Sequence, residues 1–313
     1  MRCLPALVSV LAVATGCAHA DLTTSGAPGS QTATAQEIPL GDQDPFALAV
    51  TPDGTLWAVS HNGAAVIRIP ATGMPEVTAH IKGGGTALVS AGGALWAVGW
   101  PKALYRIDPA GGLVTQTVPL KGADQLAVSD EGLWVSRWQT NTVSLVDPTS
   151  GKVVRTLEAG PKVRGDAEGV SGVAFGDGSV WAVRGDQALA YRLDPATGKV
   201  EATVKVGDAA GPSTATDGAV WITNLNSDTV TRIDTATNRA TDVETGVRPG
   251  LALADGSRVW VSNTSDDRLT RIDAASGDAA TVKTCYGPYG MVRLHSQIMV
   301  ACRYKHSIAR IAA

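Results

Sequence analysis

The sequence predicts an all-β protein: a seven-bladed β-propeller with four antiparallel strands in each blade. Three observations lead to this prediction. A tryptophan recurs about every 40 residues, four short β patterns recur within each period, and an incomplete last copy is complemented by an extra segment before the first. A period of this length indicates one supersecondary unit that is repeated and stacked, as in propeller blades.

The recurring tryptophans each lie inside a short apolar run. They are separated by 39, 38, 47, 40 and 39 residues, and a seventh run at 298–301 has Met299 in place of tryptophan. One large aromatic side chain per repeat is the expected filler between neighbouring sheets, so we interpret these residues as packing residues. The six are Trp57, Trp96, Trp134, Trp181, Trp221 and Trp260.

The third copy illustrates the four strands of a period. Its β patterns lie at 125–129, 133–136, 143–146 and 153–157, and turn residues separate them. An aspartate follows the third strand in five copies. We interpret these aspartates as turn caps rather than metal ligands, because an Asp side chain hydrogen-bonds its own turn and a single site would not recur five times. They are Asp108, Asp147, Asp194, Asp234 and Asp273.

The two ends of the chain are expected to complete one blade. Residues 308–311 match a third strand, and no fourth strand follows them. Residues 37–40 precede the first strand of the first copy, in the position of a fourth strand. We therefore expect this segment to become the outer strand of the last blade, which removes an open sheet edge.

The first 20 residues are predicted to be an export signal. Residues 4–16 form an apolar stretch that is too short to span a bilayer. The Gly16-Cys17 pair is similar to the end of a bacterial lipobox, which would lipidate Cys17, whereas the A-x-A motif at 18–20 would be cut before Asp21. The first alternative gives a cell-envelope lipoprotein and the second a secreted soluble protein.

The domain boundaries follow from composition. Residues 21–36 have almost no bulky apolar side chains and are expected to form a disordered linker, while 37–313 form the propeller. Once the leader is removed, Cys285 and Cys302 are the remaining unmodified cysteines, and an oxidising compartment favours a disulfide between them. Two separate buried thiols are the alternative.

The charge balance gives no footprint for nucleic acid. There are 26 basic and 29 acidic residues, for a formal net charge of −3.

The sequence offers no Ser/His/Asp arrangement, metal-spaced His/Cys cluster or phosphate loop, so we assign no catalytic residue, metal or cofactor. The favoured function is a monomeric, non-catalytic binding module for a small molecule, glycan or protein, which contacts a membrane only through a lipid anchor.

The repeat motif Leu/Val-Trp-x-x, followed by Ile-x-Arg-Ile-Asp-Pro-x-x-Gly, resembles the YVTN-repeat propellers and, more loosely, the streptogramin lyases. The first resemblance implies an exported binding or surface protein. The second implies an enzyme that opens a cyclic depsipeptide with histidine and a divalent cation. Lyase-type repeats place Glu just after the apolar run, and none of the seven equivalent positions here is acidic. A metal-assisted lyase or lactonase is therefore the alternative function. The seven positions are Ser60, Gly99, Arg137, Arg184, Asn224, Asn263 and Cys302.

One face of the propeller is the expected ligand site. The second-to-third and fourth-to-first connections meet there, around the central channel, and they are the longer and less repetitive loops. Aromatic rings beside guanidinium groups suit sugars, aromatic ligands, anionic groups or peptides. Packing of the extra tryptophans over the loop edges is the alternative. The candidate ligand-binding residues are His61, Trp100, Arg137, Trp138, Arg184, Asn224, Asn263, Tyr289, Arg303 and Tyr304.

Two further features belong to this face. Asn224 and Asn263 are candidate cation ligands of the lactonase type, although no carboxylates cluster beside them. The 47-residue period contains a polar insertion at 161–170. This segment is either a mobile contact loop or a tolerated surface insertion.

Overall fold

The structure is a computed structural model that describes residues 36–101, 103–161 and 169–313. Seven four-stranded antiparallel sheets are arranged in a ring, as predicted. The predicted signal peptide, Cys17, the linker up to residue 35 and most of the 161–170 insertion lie outside the described residues.

The first six blades use four consecutive strands each, from β2–β5 to β22–β25, and the seventh has the order β1-β28-β27-β26. In chain order the strands are β1 Gln36–Pro39, β2 Pro45–Val50, β3 Leu56–Ser60, β4 Ala65–Ile69, β5 Glu76–His80, β6 Gly84–Ala91, β7 Ala94–Trp100, β8 Ala103–Ile107, β9 Val114–Pro119, β10 Ala123–Ser129, β11 Gly132–Arg137, β12 Thr142–Val146, β13 Val153–Glu158, β14 Gly172–Gly176, β15 Ser179–Arg184, β16 Leu189–Leu193, β17 Val200–Lys205, β18 Ala210–Thr216, β19 Ala219–Asn224, β20 Thr229–Asp234, β21 Ala240–Glu244, β22 Pro249–Asp255, β23 Arg258–Asn263, β24 Arg268–Asp273, β25 Ala279–Lys283, β26 Pro288–Leu294, β27 Gln297–Cys302 and β28 Ser307–Ala312.

Helical structure is confined to one short turn within the described ranges. This 3-10 helix, Arg303–Lys305, connects β27 to β28. No helix in that part of the chain has the length and apolar character needed to cross a bilayer.

The ring closes as the sequence predicts. β1 pairs antiparallel with β28, so that Glu37 lies opposite Ala309 and Ile38 opposite Ile308. The ladder extends one residue further, because the Leu40 amide donates to the His306 carbonyl at 2.8 Å. The first strand of each blade lies against the first strand of the next, and β2 against β26 completes the circle.

The recurring tryptophans fill the space between blades, as interpreted from the sequence. All six are 0% exposed. In four blades an arginine of the third strand lies directly across from the tryptophan, with its guanidinium carbon 5.7 to 5.9 Å from the ring centroid, as Arg68 does over Trp57. Each such pair joins aromatic burial to a cation–π contact between adjacent strands.

The aspartates after the third strands cap turns, which confirms their structural interpretation. The Asp147 carboxylate accepts hydrogen bonds from the backbone N–H of Thr149 at 2.7 Å and of Ser150 at 3.0 Å. The Ser150 N–H and then the Thr149 N–H lower the pKa of the Asp147 carboxyl, because they stabilise its charged form. Asp194, Asp234 and Asp273 accept equivalent bonds.

A buried tryptophan should contribute far more stability than an exposed one nearby. Trp96 is 0% exposed, whereas Trp100 is 37% exposed. We expect Trp96→Ala to lower the free energy of unfolding by about 3–5 kcal/mol and Trp100→Ala by less than about 1.5 kcal/mol, in urea titrations followed by circular dichroism. Equal losses for the two variants would contradict the assignment of Trp96 to the core.

Candidate functional site

A cavity of about 980 Å³ lies at the mouth of the central channel. Its wall consists of the beginnings of the first strands together with the second-to-third and fourth-to-first loops. It therefore lies on the loop-rich face. A concave site of this volume is of the size that holds small molecules.

One equivalent position at the start of each blade lines this cavity; it lies in the first strand of six blades and directly before β14 in the fourth. In six blades the pairing of the first strand shifts register near its start, and the lining residue lies at that shift. A β-bulge redirects a side chain out of the regular alternation, which explains how these positions reach the channel. The seven residues are Phe46, Thr86, Asp124, Ser171, Gly211, Gly250 and Tyr289.

These equivalent positions are chemically unlike, so the channel mouth has no sevenfold symmetry. Aromatic rings occupy the position in the first and seventh blades, whereas the fifth and sixth blades have Gly211 and Gly250. A β-carbon built on Gly211 would meet no other atom within 4 Å. The cavity is therefore open at Gly211, whereas Gly250 lies directly against the ring of Tyr289.

The aromatic wall surrounds a guanidinium group. The Arg303 guanidinium carbon lies 4.7 Å from the ring centroid of Phe46, 5.6 Å from that of Tyr289 and 5.5 Å from that of Tyr304. The rings of Phe46 and Tyr289 are themselves in contact, with centroids 4.1 Å apart. The Arg303 Nε atom is buried without a hydrogen-bond partner in the described part of the chain.

A disulfide holds this wall in place. Cys285 and Cys302 are bonded, as predicted, with their α-carbons 5.7 Å apart. Cys302 directly precedes Arg303, and Cys285 begins the loop that contains Gly287. The Arg303 amide donates to the Gly287 carbonyl at 3.1 Å, so the disulfide and this hydrogen bond fix the same two segments together.

An acidic group lies elsewhere on the cavity wall. Burial raises the pKa of the Asp124 carboxyl to about 6, and a hydrogen bond with the Gln125 side chain offsets part of that rise. Burial also raises the pKa of the Tyr289 hydroxyl; the charge of Asp124 raises it further and that of Arg303 lowers it. Tyr289 is therefore within electrostatic range of both charged groups.

The charged lining is divided between two sides of the ring. Three acids, Asp124, Asp186 and Asp208, come from the third to fifth blades, whereas Arg248 and Arg303 come from the sixth and seventh. The acids differ in their partners. Asp186 forms an ion pair with Arg184 at 2.7 Å, and Asp208 accepts a hydrogen bond from the Asn226 amide at 3.3 Å.

The structure brings four of the ten predicted site residues together at the cavity: Trp138, Tyr289, Arg303 and Tyr304. Gly169, at the end of the 161–170 insertion, also lines it.

Three of the predicted residues lie inside the blades instead. Asn224 and Asn263 are 0% exposed, and their amides donate to Thr231 and Thr270 at 2.8 and 3.0 Å. Arg184 is 1% exposed and donates to Asn141 at 2.6 Å. Each of these residues ends a second strand, and its side chain is buried within its blade or, for Arg184, against the preceding blade, so we assign these side chains to the architecture and not to ligand contact.

The remaining three candidates lie near the cavity without lining it. His61 packs behind Phe46, with ring centroids 5.1 Å apart. Trp100 stacks on Trp138, with ring centroids 6.2 Å apart. Arg137 donates a hydrogen bond from its Nε to the Lys121 carbonyl at 2.9 Å. These side chains support the wall or occupy the neighbouring surface.

Sequence reasoning missed two chemically important lining residues, Phe46 and Asp124. A signal for them existed. Six of the seven lining residues lie ten positions before the recurring tryptophan or its Met299 equivalent. Phe46 lies eleven positions before Trp57, because the turn between the first and second strands is longer in the first blade. Comparison of that column across the repeats would have revealed the chemical differences around the channel.

Among the residues that the structure describes, no group of three or more His, Cys, Asp or Glu side chains is arranged to hold a metal ion. The side-chain amide oxygens of Asn224 and Asn263, which a cation would need, already accept hydrogen bonds from the Gly207 backbone N–H at 3.2 Å and from the Thr270 hydroxyl at 3.4 Å. Their assignment to the blade interior also removes the basis for the cation-site alternative.

The solved structures that this fold resembles include streptogramin lyases. The chain is 18% identical to a streptogramin B lyase, with 88% of this chain and 96% of that chain covered and a TM-score of 0.74. It is also 18% identical to a catalytically inactive histidine-to-alanine variant of virginiamycin B lyase from Staphylococcus aureus with quinupristin, at 89% and 99% coverage and a TM-score of 0.74.

A designed protein shares the architecture as well. The computationally designed Ika8 protein is 10% identical, with 88% and 98% of the chains covered and a TM-score of 0.66. No protein-family model and no curated protein matches the chain. The chain thus has a streptogramin-lyase-like seven-bladed propeller fold, and identities of this size establish the fold alone.

The half-buried carboxyl of Asp124 should make stability depend on pH. Its pKa in the folded protein lies above that of an unfolded aspartate, so its ionisation destabilises the fold, and the cost grows as the pH rises from about 4 to about 6. We expect Asp124→Asn to be more stable than the wild type at pH 7.5 by about 1–3 kcal/mol and equal to it near pH 4. Urea titrations at both pH values measure the difference.

Asp147→Asn is the matched control for this experiment. Hydrogen bonds lower the pKa of Asp147, so its charged form stabilises the turn, and the variant should lose stability at pH 7.5. A gain for Asp124→Asn that does not change with pH, or a loss at pH 7.5, would refute the assignment of a costly charge to Asp124.

Proposed function

We propose that this protein is a binding module that holds a small molecule in the cavity at the channel mouth. The main support is the set of seven equivalent positions at the starts of the blades, which carry unlike residues. Packing alone would allow similar residues at these positions, whereas a ligand needs different chemistry on different sides. An aromatic wall with a few placed polar groups is the usual composition of a small-molecule site.

The shape of the site favours a small molecule over a glycan chain or a protein partner. A concave cavity of about 980 Å³ encloses a compact ligand, whereas protein partners usually need a broad surface of about 800 Å² per side. We propose that the protein acts as a monomer, because each cavity is complete within one chain.

A lyase or lactonase activity is the second candidate, and the fold likeness favours it. Lyase-type repeats place Glu just after the apolar run of the second strand, whereas the seven equivalent positions of this chain carry uncharged or basic residues. This difference favours binding over catalysis. The two proposals differ in whether a bound molecule is released unchanged.

A small-molecule screen tests the proposal. Saturation-transfer NMR against a metabolite library should detect compounds that bind the wild type. Gly211→Leu, which fills the open side of the cavity, should weaken their binding at least tenfold. Ala236→Leu, at an exposed turn on the opposite face, is the control and should leave binding unchanged.

Two outcomes would count against this function. Hits that bind Gly211→Leu as tightly as the wild type would place the site elsewhere. Conversion of any hit, detected by mass spectrometry with and without added Mg²⁺, would replace the binding-only proposal with the enzymatic one.

We also propose that the protein acts outside the cytoplasm. The disulfide supports this proposal, because such bonds persist in oxidising compartments. The intact mass of the mature protein distinguishes a lipidated Cys17 from a chain that begins at Asp21. A mature chain that retains Met1 would contradict both routes of export.

A further inference from the structure

The charges of the cavity suggest the chemistry of its ligand. Cationic groups lie on the sixth and seventh blades and acidic groups on the third to fifth, so the ligand meets opposite charges at opposite sides. Asp186 is already paired with Arg184, but a neutral ligand would leave Asp124 and Arg303, which form no ion pair within the described residues, uncompensated. A purely anionic or purely cationic ligand would compensate one kind and be repelled by the other.

Arg303 is suited to bind a carboxylate. Three aromatic rings cover the faces of its guanidinium group and restrict its movement. No carboxylate of the described chain pairs with it, and its Nε atom is buried and unpartnered. A guanidinium whose faces are covered presents its N–H edge, and this edge matches a carboxylate with two parallel hydrogen bonds.

Asp124 is suited to bind a protonated amine. It lies in the channel mouth, and no cationic side chain forms an ion pair with it in the described part of the chain. A recessed carboxylate without a cation is costly, and groups of this kind cluster at functional sites. A ligand ammonium group would supply the missing partner.

The size of the cavity indicates the size of the ligand. Asp124, Arg303 and Tyr289 all line this cavity. The cavity volume corresponds to roughly 12 Å across if it is taken as a sphere, and an extended chain covers at most about 3.5 Å per residue. Two or three residues fit this distance, whereas one amino acid would leave much of the cavity empty.

We infer, on the basis of the proposed function, that the cavity binds a short peptide with free termini, whose carboxylate lies at Arg303 and whose amino group lies at Asp124. The aromatic surface of Tyr289, Tyr304 and Trp138 lies beside the path between them and contacts the peptide side chains. A ligand with both ends blocked lacks the two groups that the site recognises.

Calorimetric titration with the tripeptide Ala-Phe-Ala and its capped forms tests this inference. N-acetylation removes the charge that faces Asp124, and C-amidation removes the charge that faces Arg303. We expect each cap to weaken binding to the wild type at least tenfold. The acetyl cap should make little difference to Asp124→Asn, and the amide cap little difference to Arg303→Gln, because the partner of each terminus is already gone.

Matched controls separate this effect from general damage. Arg239→Gln and Asp278→Asn change the same charges at exposed positions outside the cavity and should bind all forms as the wild type does. Arg303→Lys retains the charge without the planar fork and should recover only part of the affinity. Circular dichroism confirms that each variant is folded.

The outcomes distinguish this inference from the proposed function. If capped and free peptides bind equally, or if either cap has the same effect in the wild type and in the matching variant, the inference is wrong. If no tripeptide binds while library compounds bind in a Gly211-dependent manner, the inference is wrong and the proposed function stands. If no compound binds at all, the proposed function fails with it.

Discussion

The hydrogen-bonded ladder between β1 and β28 is the constraint on which the rest of the structure depends. It joins residues that are about 270 positions apart in the chain, and it turns an open row of sheets into a closed ring. Each recurring tryptophan packs against the next blade along the chain, as Trp57 does against the second blade, and closure of the ring packs Met299 of the seventh blade against the first. Without the seventh complete blade, the first and last sheets would expose apolar faces to water, and the channel would have no defined wall.

In the ring, the residues that stabilise the fold and the residues that line the cavity lie at different positions of each repeat. Repeated features lie inside the blades: the buried tryptophans, the arginines stacked on them and the aspartates that cap the turns. Features that differ from blade to blade lie where the first strands begin. In six blades a bulge places one residue at the channel, so a position that contributes little to packing can vary freely. The cavity acquires its aromatic, open and charged sides from this variation.

The likeness to streptogramin lyases concerns the scaffold. A propeller brings seven equivalent positions to one mouth, and different chemistries can be placed there without a change of fold. In this chain the second strands end in residues such as Asn224, which bonds within its blade, and Arg184, which bonds to Asn141 of the preceding blade. The groups that face the cavity come from other positions, above all Asp124 and Arg303. For this reason we base the proposed function on the cavity itself.

Sequence alone determined the fold, because the period, the turn residues and the alternation of apolar positions are local patterns that every blade repeats. The disulfide and the closing strand were also predictable, since each had one plausible partner. The ligand site was only partly predictable: Trp138, Tyr289, Arg303 and Tyr304 were expected, but Asp124 and Phe46 were not. Only the tertiary structure decided which polar side chains point into the blades and which reach the channel. That choice depends on a one-residue register shift at the start of six of the seven first strands and on the approach of loops from different blades, and neither has a local sequence pattern strong enough to specify it.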